Sequence, residues 1–193
     1  MSTDSEIIER SLKDAESFAG IFERHVRPVG AYIRRRLGGE SVEDVLSETF
    51  LVAFRRRESF DLSVDSALPW LLGIATRLIR SQRAAEARHW RSFEASAGAA
   101  AVEPEPALAE AERRMDATAA LRELAPRIAA LAQRDRDTLL LHAWAGLTYE
   151  QTAAALGVPI GTVRSRLNRV RRRLAPAGSQ AAARLTWMAK VEG

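Results

Sequence analysis

The sequence predicts an all-α protein of two small helical domains joined by a flexible acidic linker, the second domain containing a helix-turn-helix. Apolar residues recur at helical spacing almost everywhere outside residues 92–112, and no alternating run is long enough to form a strand. Residues 92–112 contain five glutamates and no basic residue. We therefore assign residues 1–91 to the first domain, 92–112 to the linker, 113–175 to the second domain and 176–193 to a C-terminal extension whose role the sequence leaves open.

The first domain begins with an amphipathic helix for which Asp14 is a suitable N-cap. Its apolar stripe consists of Phe18, Ile21, Phe22, His25 and Val26. We expect Pro28 either to end this helix or to start the next one, because proline is tolerated at the first helical turn but not in a helix interior. The second helix then runs to Gly38 and Gly39.

A further helix begins at Ser41, where Glu43 and Asp44 place negative charge at the positive end of the helix dipole. Its apolar stripe is Val42, Val45, Leu46, Thr49, Phe50 and Ala53. A polar loop, roughly residues 58–66, leads to Pro69, which is a good first helical residue. The last stripe of this domain is Trp70, Leu71, Ile74 and Leu78.

The linker is assigned from its composition. It has little to bury besides alanine, and Glu-Pro-Glu-Pro at 103–106 disfavours a helix because each proline pushes its predecessor toward an extended conformation. The alternative is a loop within one domain, but an irregular loop of this length is unusual there.

The second domain has the helix start and stop signals of a helix-turn-helix. An apolar helix over 138–145 ends at Gly146, and Thr148 with Gln151 then forms a capping box for a short helix. Gly157 ends that helix in the position that favours a left-handed residue, and we expect Thr162 to cap a final helix that runs to about residue 175.

The final helix has two different faces. Val163, Leu167, Val170 and Leu174 recur at core spacing, whereas the other positions carry six arginines and no acid. Solvated helices usually mix both signs of charge, so this pattern favours a helix in a DNA major groove over a merely solvated face. Ser165, Asn168, Arg169 and Arg172 lie on one side as candidates for base contacts, and Arg171 and Arg173 are candidates for phosphate contacts.

The composition limits the class of protein and the chemistry that the chain can carry out. Hydrophobic residues make up 47% and charged residues 28%, as in globular proteins, and the absence of cysteine excludes disulfides and thiolate chemistry. The acidic start is unlike a secretory signal, and no apolar stretch approaches the roughly 18 residues of a membrane span, so we expect a soluble, cytoplasmic protein. Arginine supplies 27 of the 29 basic residues, which suits phosphate and guanine recognition but also follows from codon bias.

The motifs resemble those of bacterial sigma factors of the extracytoplasmic-function (ECF) group, which have only regions 2 and 4. The segment Gly161-Thr162-Val163-Arg164-Ser165-Arg166-Leu167-Asn168-Arg169 resembles region 4. The segment Ser41-Val42-Glu43-Asp44-Val45-Leu46-Ser47-Glu48-Thr49-Phe50 resembles region 2.2, and Pro69-Trp70-Leu71-Leu72-Gly73-Ile74-Ala75 resembles the start of region 2.3–2.4. The order and spacing of these segments make the resemblance specific over about residues 15–91 and 113–175.

The resemblance implies a factor that binds core RNA polymerase, directs it to promoters and helps to open the DNA. Region 4 would contact the upstream (minus-thirty-five) box through Thr162, Arg164, Ser165, Asn168, Arg169 and Arg172. Asp44, Glu48 and Phe50 match the family's docking surface for the clamp helices of the largest polymerase subunit, although Phe50 is equally suited to the core. Region 2 would capture an unstacked base of the downstream (minus-ten) box in the loop before Pro69.

The chain departs from the family after Ile74-Ala75. The family usually has an asparagine two residues later, then an aspartate and a basic pair, where this chain has Arg77, Ser81 and Ala84-Ala85. Arg77, Arg80, Arg83 and Arg88 still form a basic face, for which we expect contact with the downstream box. Trp70 suits base stacking, but its helical spacing with Leu71 and Ile74 favours the core.

Other functions fit less well. An enzyme is disfavoured because the three histidines show no metal or triad grouping and no glycine-rich phosphate loop is present, so we expect no catalytic residue, metal or cofactor. A helix-turn-helix regulator with an N-terminal sensor or dimerisation domain is the main alternative, but the region 2-like motifs oppose it. The resemblance also suggests an anti-sigma partner, for which the sequence itself contains no direct evidence.

Overall fold

The computed structural model describes residues 2–37, 41–97 and 119–175 of the 193-residue chain, and its regular structure there is entirely helical. This confirms the predicted fold class. The α-helices are α1 (Asp4–Ser11), α2 (Ala19–Leu37), α3 (Val42–Arg55), α4 (Leu68–Ala97), α5 (Ala119–Ala129), α6 (Gln133–Ala143), α7 (Tyr149–Leu156) and α8 (Ile160–Leu174). Short 3-10 helices occupy Ala15–Phe18 and Arg57–Ser59. Gly38 and Gly39, residues 98–112 of the predicted linker and the extension 176–193 lie outside the described residues.

Helices α1 to α4 form the first helical unit. Helix α1 was not predicted, although the sequence carries its signal: Thr3 and Glu6 form a capping box in which each side chain accepts a hydrogen bond from the other residue's backbone N–H. Asp14, predicted to cap the amphipathic helix, caps the 3-10 helix that directly precedes α2, and it accepts a hydrogen bond from the backbone N–H of Glu16.

Two predicted boundaries in this unit were wrong. Helix α2 continues through Pro28, because Ile21 before the proline and Val29 and Ile33 after it are all fully buried on one stripe. Continuous core packing of that stripe outweighs the roughly 3 kcal/mol that an interior proline costs. Helix α4 continues to Ala97, so the first six residues of the predicted linker are helical.

Helices α5 to α8 form the second helical unit. Its predicted helix start and stop signals are largely confirmed: Thr148 and Gln151 form the capping box of α7, and Gly157 ends α7 with a φ of 65°. The role expected for Thr162 was wrong. Helix α8 begins at Ile160 with Pro159 as its N-cap, and the backbone N–H of Thr162 donates to the carbonyl of Pro159 at 2.9 Å, within the first turn.

The two units pack directly on each other. Leu140, Leu141, Leu147 and Ala155 of the second unit join the same buried apolar cluster as the core of the first unit. Helices α4 and α7 approach most closely at Gly73, where an added Cβ would lie 2.3 Å from the carbonyl oxygen of Ala155. The glycine therefore allows the two helix backbones to come into contact.

Candidate DNA and polymerase interfaces

The outer face of α8 is formed by the residues that the sequence predicted. Val163, Leu167 and Val170 are at most 2% exposed and hold the inner face against the second unit's core. Arg164, Ser165, Asn168, Arg169 and Arg172 are exposed, and Thr162 is half-buried beside them. The folded helix thus presents polar and cationic groups of the kind that contact base edges and phosphates, on one continuous surface.

Several of these side chains are oriented by neighbours. Arg169 Nη1 donates to both carboxylate oxygens of Asp135, at 2.8 and 3.1 Å, and the side chain of Asp135 is only 2% exposed. Arg171 donates to Asn168 Oδ1 at 3.1 Å and to the hydroxyl of Tyr149 at 3.0 Å. The buried carboxylate therefore fixes Arg169 while about half of that side chain stays exposed.

A cleft of about 580 Å³ lies beside this face, between the start of α6, α8 and the side chain of Arg80. Its lining residues are Arg80, Ala132, Gln133, Arg134, Asp135, Thr162, Ser165, Arg166 and Arg169. Burial lowers the pKa of Arg166, and Arg134, Arg80 and Arg169 lower it further, while Asp135 acts in the opposite direction. Because these cations repel each other, the cleft would favour an anion.

Sequence reasoning missed the contribution of α6 to this surface. The run Arg134-Asp135-Arg136-Asp137 entered only the charge count, yet both aspartates are buried and bind arginines. The available signal was the alternation of arginine and aspartate over residues 134–137, at the start of an apolar helix. A charged side chain on the apolar side of a helix requires a partner of opposite charge.

The four arginines predicted for the downstream box divide into two pairs. Arg77 and Arg88 are exposed. Burial lowers the pKa of Arg77, and the nearby cations Arg56 and Arg80 lower it further.

Arg80 and Arg83 instead have partners inside the protein, Arg80 across the two units and Arg83 within the first unit. Arg80 Nε donates to Asp137 Oδ2 at 2.5 Å, and Arg83 donates to the backbone carbonyl of Arg36 at the end of α2. Burial lowers the pKa of Arg83, and Arg36 and Arg136 lower it further. In this arrangement both guanidinium groups have internal partners.

The surface of α3 is acidic with an aromatic neighbour. Asp44 and Glu48 are exposed, as a docking surface requires. Phe50 is only 6% exposed and packs edge-to-face on Phe22, with the ring centroids 4.9 Å apart. The structure therefore places Phe50 in the core, and the exposed apolar groups beside it are Phe22 and Leu51, at 46% and 40% exposure.

The loop before α4 exposes two apolar side chains. Leu62 and Val64 are 44% and 41% exposed, between the buried residues Phe60 and Ala67. The hydroxyl and backbone N–H of Ser63 donate to Asp61 at 2.7 and 2.9 Å, and these hydrogen bonds lower the pKa of Asp61. Trp70 is half-buried against Phe60, with ring centroids 5.1 Å apart, in agreement with the packing role that its spacing favoured.

His25 and His142 have structural partners. His25 Nε2 lies 2.6 Å from a carboxylate oxygen of Asp4, and His142 Nδ1 lies 2.6 Å from the carbonyl oxygen of Leu147. Within the described part of the chain, no group of three or more histidine and acidic residues is placed to bind a metal ion. No helix in that part is long and apolar enough to cross a membrane.

Comparison with known proteins matches both units to one family. The family model for Sigma-70 region 2 matches residues 21–89, and that for Sigma-70 region 4 matches residues 119–174. The ECF RNA polymerase sigma-E factor of Escherichia coli strain K12 is 33% identical over 175 residues, covering 88% of this chain and 91% of that protein. The chain belongs to the ECF sigma factors of the sigma-70 family.

Other similar proteins agree. The ECF RNA polymerase sigma factor SigK of Mycolicibacterium vanbaalenii is 31% identical over 166 residues, which are 80% of this chain and 78% of that protein. CnrH, solved with the cytosolic domain of CnrY, has a TM-score of 0.59 at 21% identity, covering 89% of this chain and 94% of that chain. RpoE of Bartonella quintana, solved with the anti-sigma factor NepR, has a TM-score of 0.58 at 22% identity, covering 82% and 94%.

The partners of this ECF sigma factor are core RNA polymerase and promoter DNA. The alternative of a simple helix-turn-helix regulator is not favoured, because the family match extends over the first unit as well as the second.

Proposed function

We propose that this sigma factor contacts the upstream promoter box through the outer face of α8 and the downstream box through the loop 61–66 and the exposed arginines of α4. It does so in the cytoplasm, as an initiation factor without catalytic chemistry of its own. The observation that carries this assignment is the composition of α8: six arginines and no acid surround a fully buried stripe. Such a face favours a polyanion over water.

Docking on core polymerase is assigned to the exposed face of α3 and the adjoining end of α2. Asp44 and Glu48 supply negative charge, and Phe22 with Leu51 supplies exposed apolar area next to it. Interfaces commonly combine such apolar contact residues with charged groups that orient the partner. Phe50 supports this surface from below by packing against Phe22.

Promoter binding requires the two units to separate. The boxes named minus-thirty-five and minus-ten lie about 25 base pairs apart, which is roughly 85 Å of duplex at about 3.4 Å per base pair. Arg80 of the first unit and Arg169 of α8 line a single cleft, so this arrangement cannot present both units to both boxes. We expect a fluorophore pair, one on each unit, to show a large increase in separation when core polymerase binds; an unchanged distance would contradict the assignment.

An anti-sigma factor is a further proposed partner. Two solved structures with this fold are complexes of a sigma factor with a second protein, CnrY in one and the anti-sigma factor NepR in the other. We expect a pull-down from cells to recover such a protein in addition to polymerase, and recovery of polymerase alone would oppose a stable partner.

In vitro transcription with core polymerase, followed by sequencing of transcript starts, tests the main assignment. Arg169→Ala should reduce discrimination at the upstream box by about 1–3 kcal/mol, because arginine pairs with guanine through two hydrogen bonds. Arg173→Ala is the matched control on the same helix and should weaken binding equally on all sequences. If Arg169→Ala also weakened binding equally on all promoter sequences, Arg169 would be a phosphate contact.

A further inference from the structure

The end of the loop 61–66 and the residue after it, Ala67, are attached to the first turn of α1 by three hydrogen bonds. The backbone N–H of Asp4 donates to the carbonyl of Asp65 at 3.3 Å, and the backbone N–H of Ala67 donates to Asp4 Oδ2 at 2.8 Å. The hydroxyl of Ser5 donates to the carbonyl of Val64. Three backbone positions within residues 64–67 are therefore fixed by two consecutive residues of α1.

Asp4 is itself held firmly. It is 5% exposed, its Oδ2 lies 2.6 Å from His25 Nε2, and its Oδ1 accepts a hydrogen bond from Arg24 at 3.0 Å. Burial alone would raise the pKa of Asp4, but the hydrogen bonds from Ala67, His25 and Arg24 outweigh it and hold the pKa below its ordinary value. The charged carboxylate thus joins α1, α2 and the loop at one point.

The loop carries two exposed apolar side chains, Val64 within the stretch that α1 fixes and Leu62 two residues before it. Leu62 and Val64 point away from the core while Phe60 and Ala67, on either side, are buried. Recognition of an unpaired base depends on apolar and stacking contacts made by side chains in a defined position. A loop free to shift by about 1 Å would lose much of that selectivity.

We infer that Asp4 and Ser5 are positioning residues for recognition of the downstream box. They hold the backbone of residues 64–67 and so fix where Leu62 and Val64 meet an unstacked base. This inference depends on the proposed role of the loop, but it assigns to α1 a part in promoter selectivity, although α1 lies outside both matched family regions.

The test is transcription from two templates that differ in one base of the downstream box, both already unpaired across that box. Wild type should favour the matched template, and Asp4→Ala and Ser5→Ala should each lower the ratio by about fivefold, near the lower end of what one base in a site contributes. Discrimination at the upstream box should stay within about twofold. Glu6→Ala is the matched control, because it removes the capping-box bond that the Glu6 carboxylate accepts from the backbone N–H of Thr3 without removing a bond to the loop.

The outcomes separate the inference from the proposed function. If wild type does not discriminate, or if Leu62→Ala and Val64→Ala leave the ratio unchanged, the proposed role of the loop fails. If those two variants lower the ratio but Asp4→Ala and Ser5→Ala do not, the loop assignment stands and the positioning role is overturned.

Hydrogen exchange at the amide of Ala67 supplies a readout that needs no polymerase. Exchange should accelerate in Asp4→Ala, which loses the acceptor of that amide, and should stay near the wild-type rate in Glu6→Ala. Equal acceleration in both variants would mean that α1 acts only through its own stability, and would overturn the inference.

Discussion

The interface between the two helical units and the outer face of α8 both depend on arginine, but in opposite ways. At the interface, Arg36 is 1% exposed and donates to the fully buried Asp137 at 2.5 Å. On α8, Arg164 and Arg172 are exposed. The comparison shows that burial and the presence of an acid decide whether an arginine stabilises the fold or remains available to an external anion.

The interface arginine belongs to a buried hydrogen-bonded network. Arg36 Nη1 donates to the hydroxyl of Tyr32 at 3.0 Å, and that hydroxyl lies 2.8 Å from Thr76 Oγ1. Burial alone would lower the pKa of Arg36, but Tyr32 and Asp137 outweigh it and raise that pKa. The arrangement keeps the charge while excluding water, so each member depends on the others.

The largest expected effect follows from removing the acid at the interface. Asp137→Ala leaves Arg36 buried without its carboxylate, and we expect the free energy of unfolding to fall by about 3–5 kcal/mol in denaturant titrations. The same substitution in an Arg36→Met background is the control, because no buried charge is then left uncompensated. Equal losses in both backgrounds would contradict the ionic role of the pair.

A steric change at the same interface should have a smaller effect. Gly73→Ala places a methyl group against the backbone of Ala155, and overpacking of this kind costs about 1–3 kcal/mol. Gly161→Ala in α8 is the matched control, since nothing lies within 4 Å of its added Cβ. Thermal unfolding of the two variants checks the difference; similar melting temperatures would show that α4 and α7 do not need their close approach.

A third prediction extends the comparison to the buried acid Asp4. Its pKa is lowered in the folded protein, so its contribution to stability is present above the ordinary value of 3.8 and is lost as pH falls below it. Asp4→Asn should therefore be less stable than wild type near neutral pH, with a difference that shrinks below about pH 4. Denaturant titrations between pH 7 and about pH 3 test this, and a difference independent of pH would exclude the charge as its source.

The smallest effect on stability is expected on α8. Arg173→Ala should change the free energy of unfolding by no more than about 0.5 kcal/mol, because its side chain is exposed. Its effect should instead appear in DNA affinity, with the dependence of log K on log salt reduced by about 1. A loss of stability without a change in salt dependence would mean that Arg173 stabilises the fold and does not contact DNA.

Much of this architecture was predictable because it is encoded locally. The capping box at Thr148 and Gln151, the left-handed Gly157 and the buried stripe of α8 each depend on a few neighbouring residues, and all three were confirmed. The wrong predictions at Pro28 and Thr162 concerned helix boundaries. In both cases local preference competed with a longer stripe or with a neighbouring proline.

The sequence by itself determined the helical class, the family and the faces of α8, because helical periodicity and sign of charge are readable along the chain. Only the tertiary structure decided that Arg36 and Arg80 meet Asp137, that Gly73 meets Ala155 and that Asp4 holds the loop before α4. These contacts join residues about 60 to 100 positions apart, and each depends on how whole helices pack. Periodicity shows which face of a helix is buried, but not which residue of another helix that face will meet.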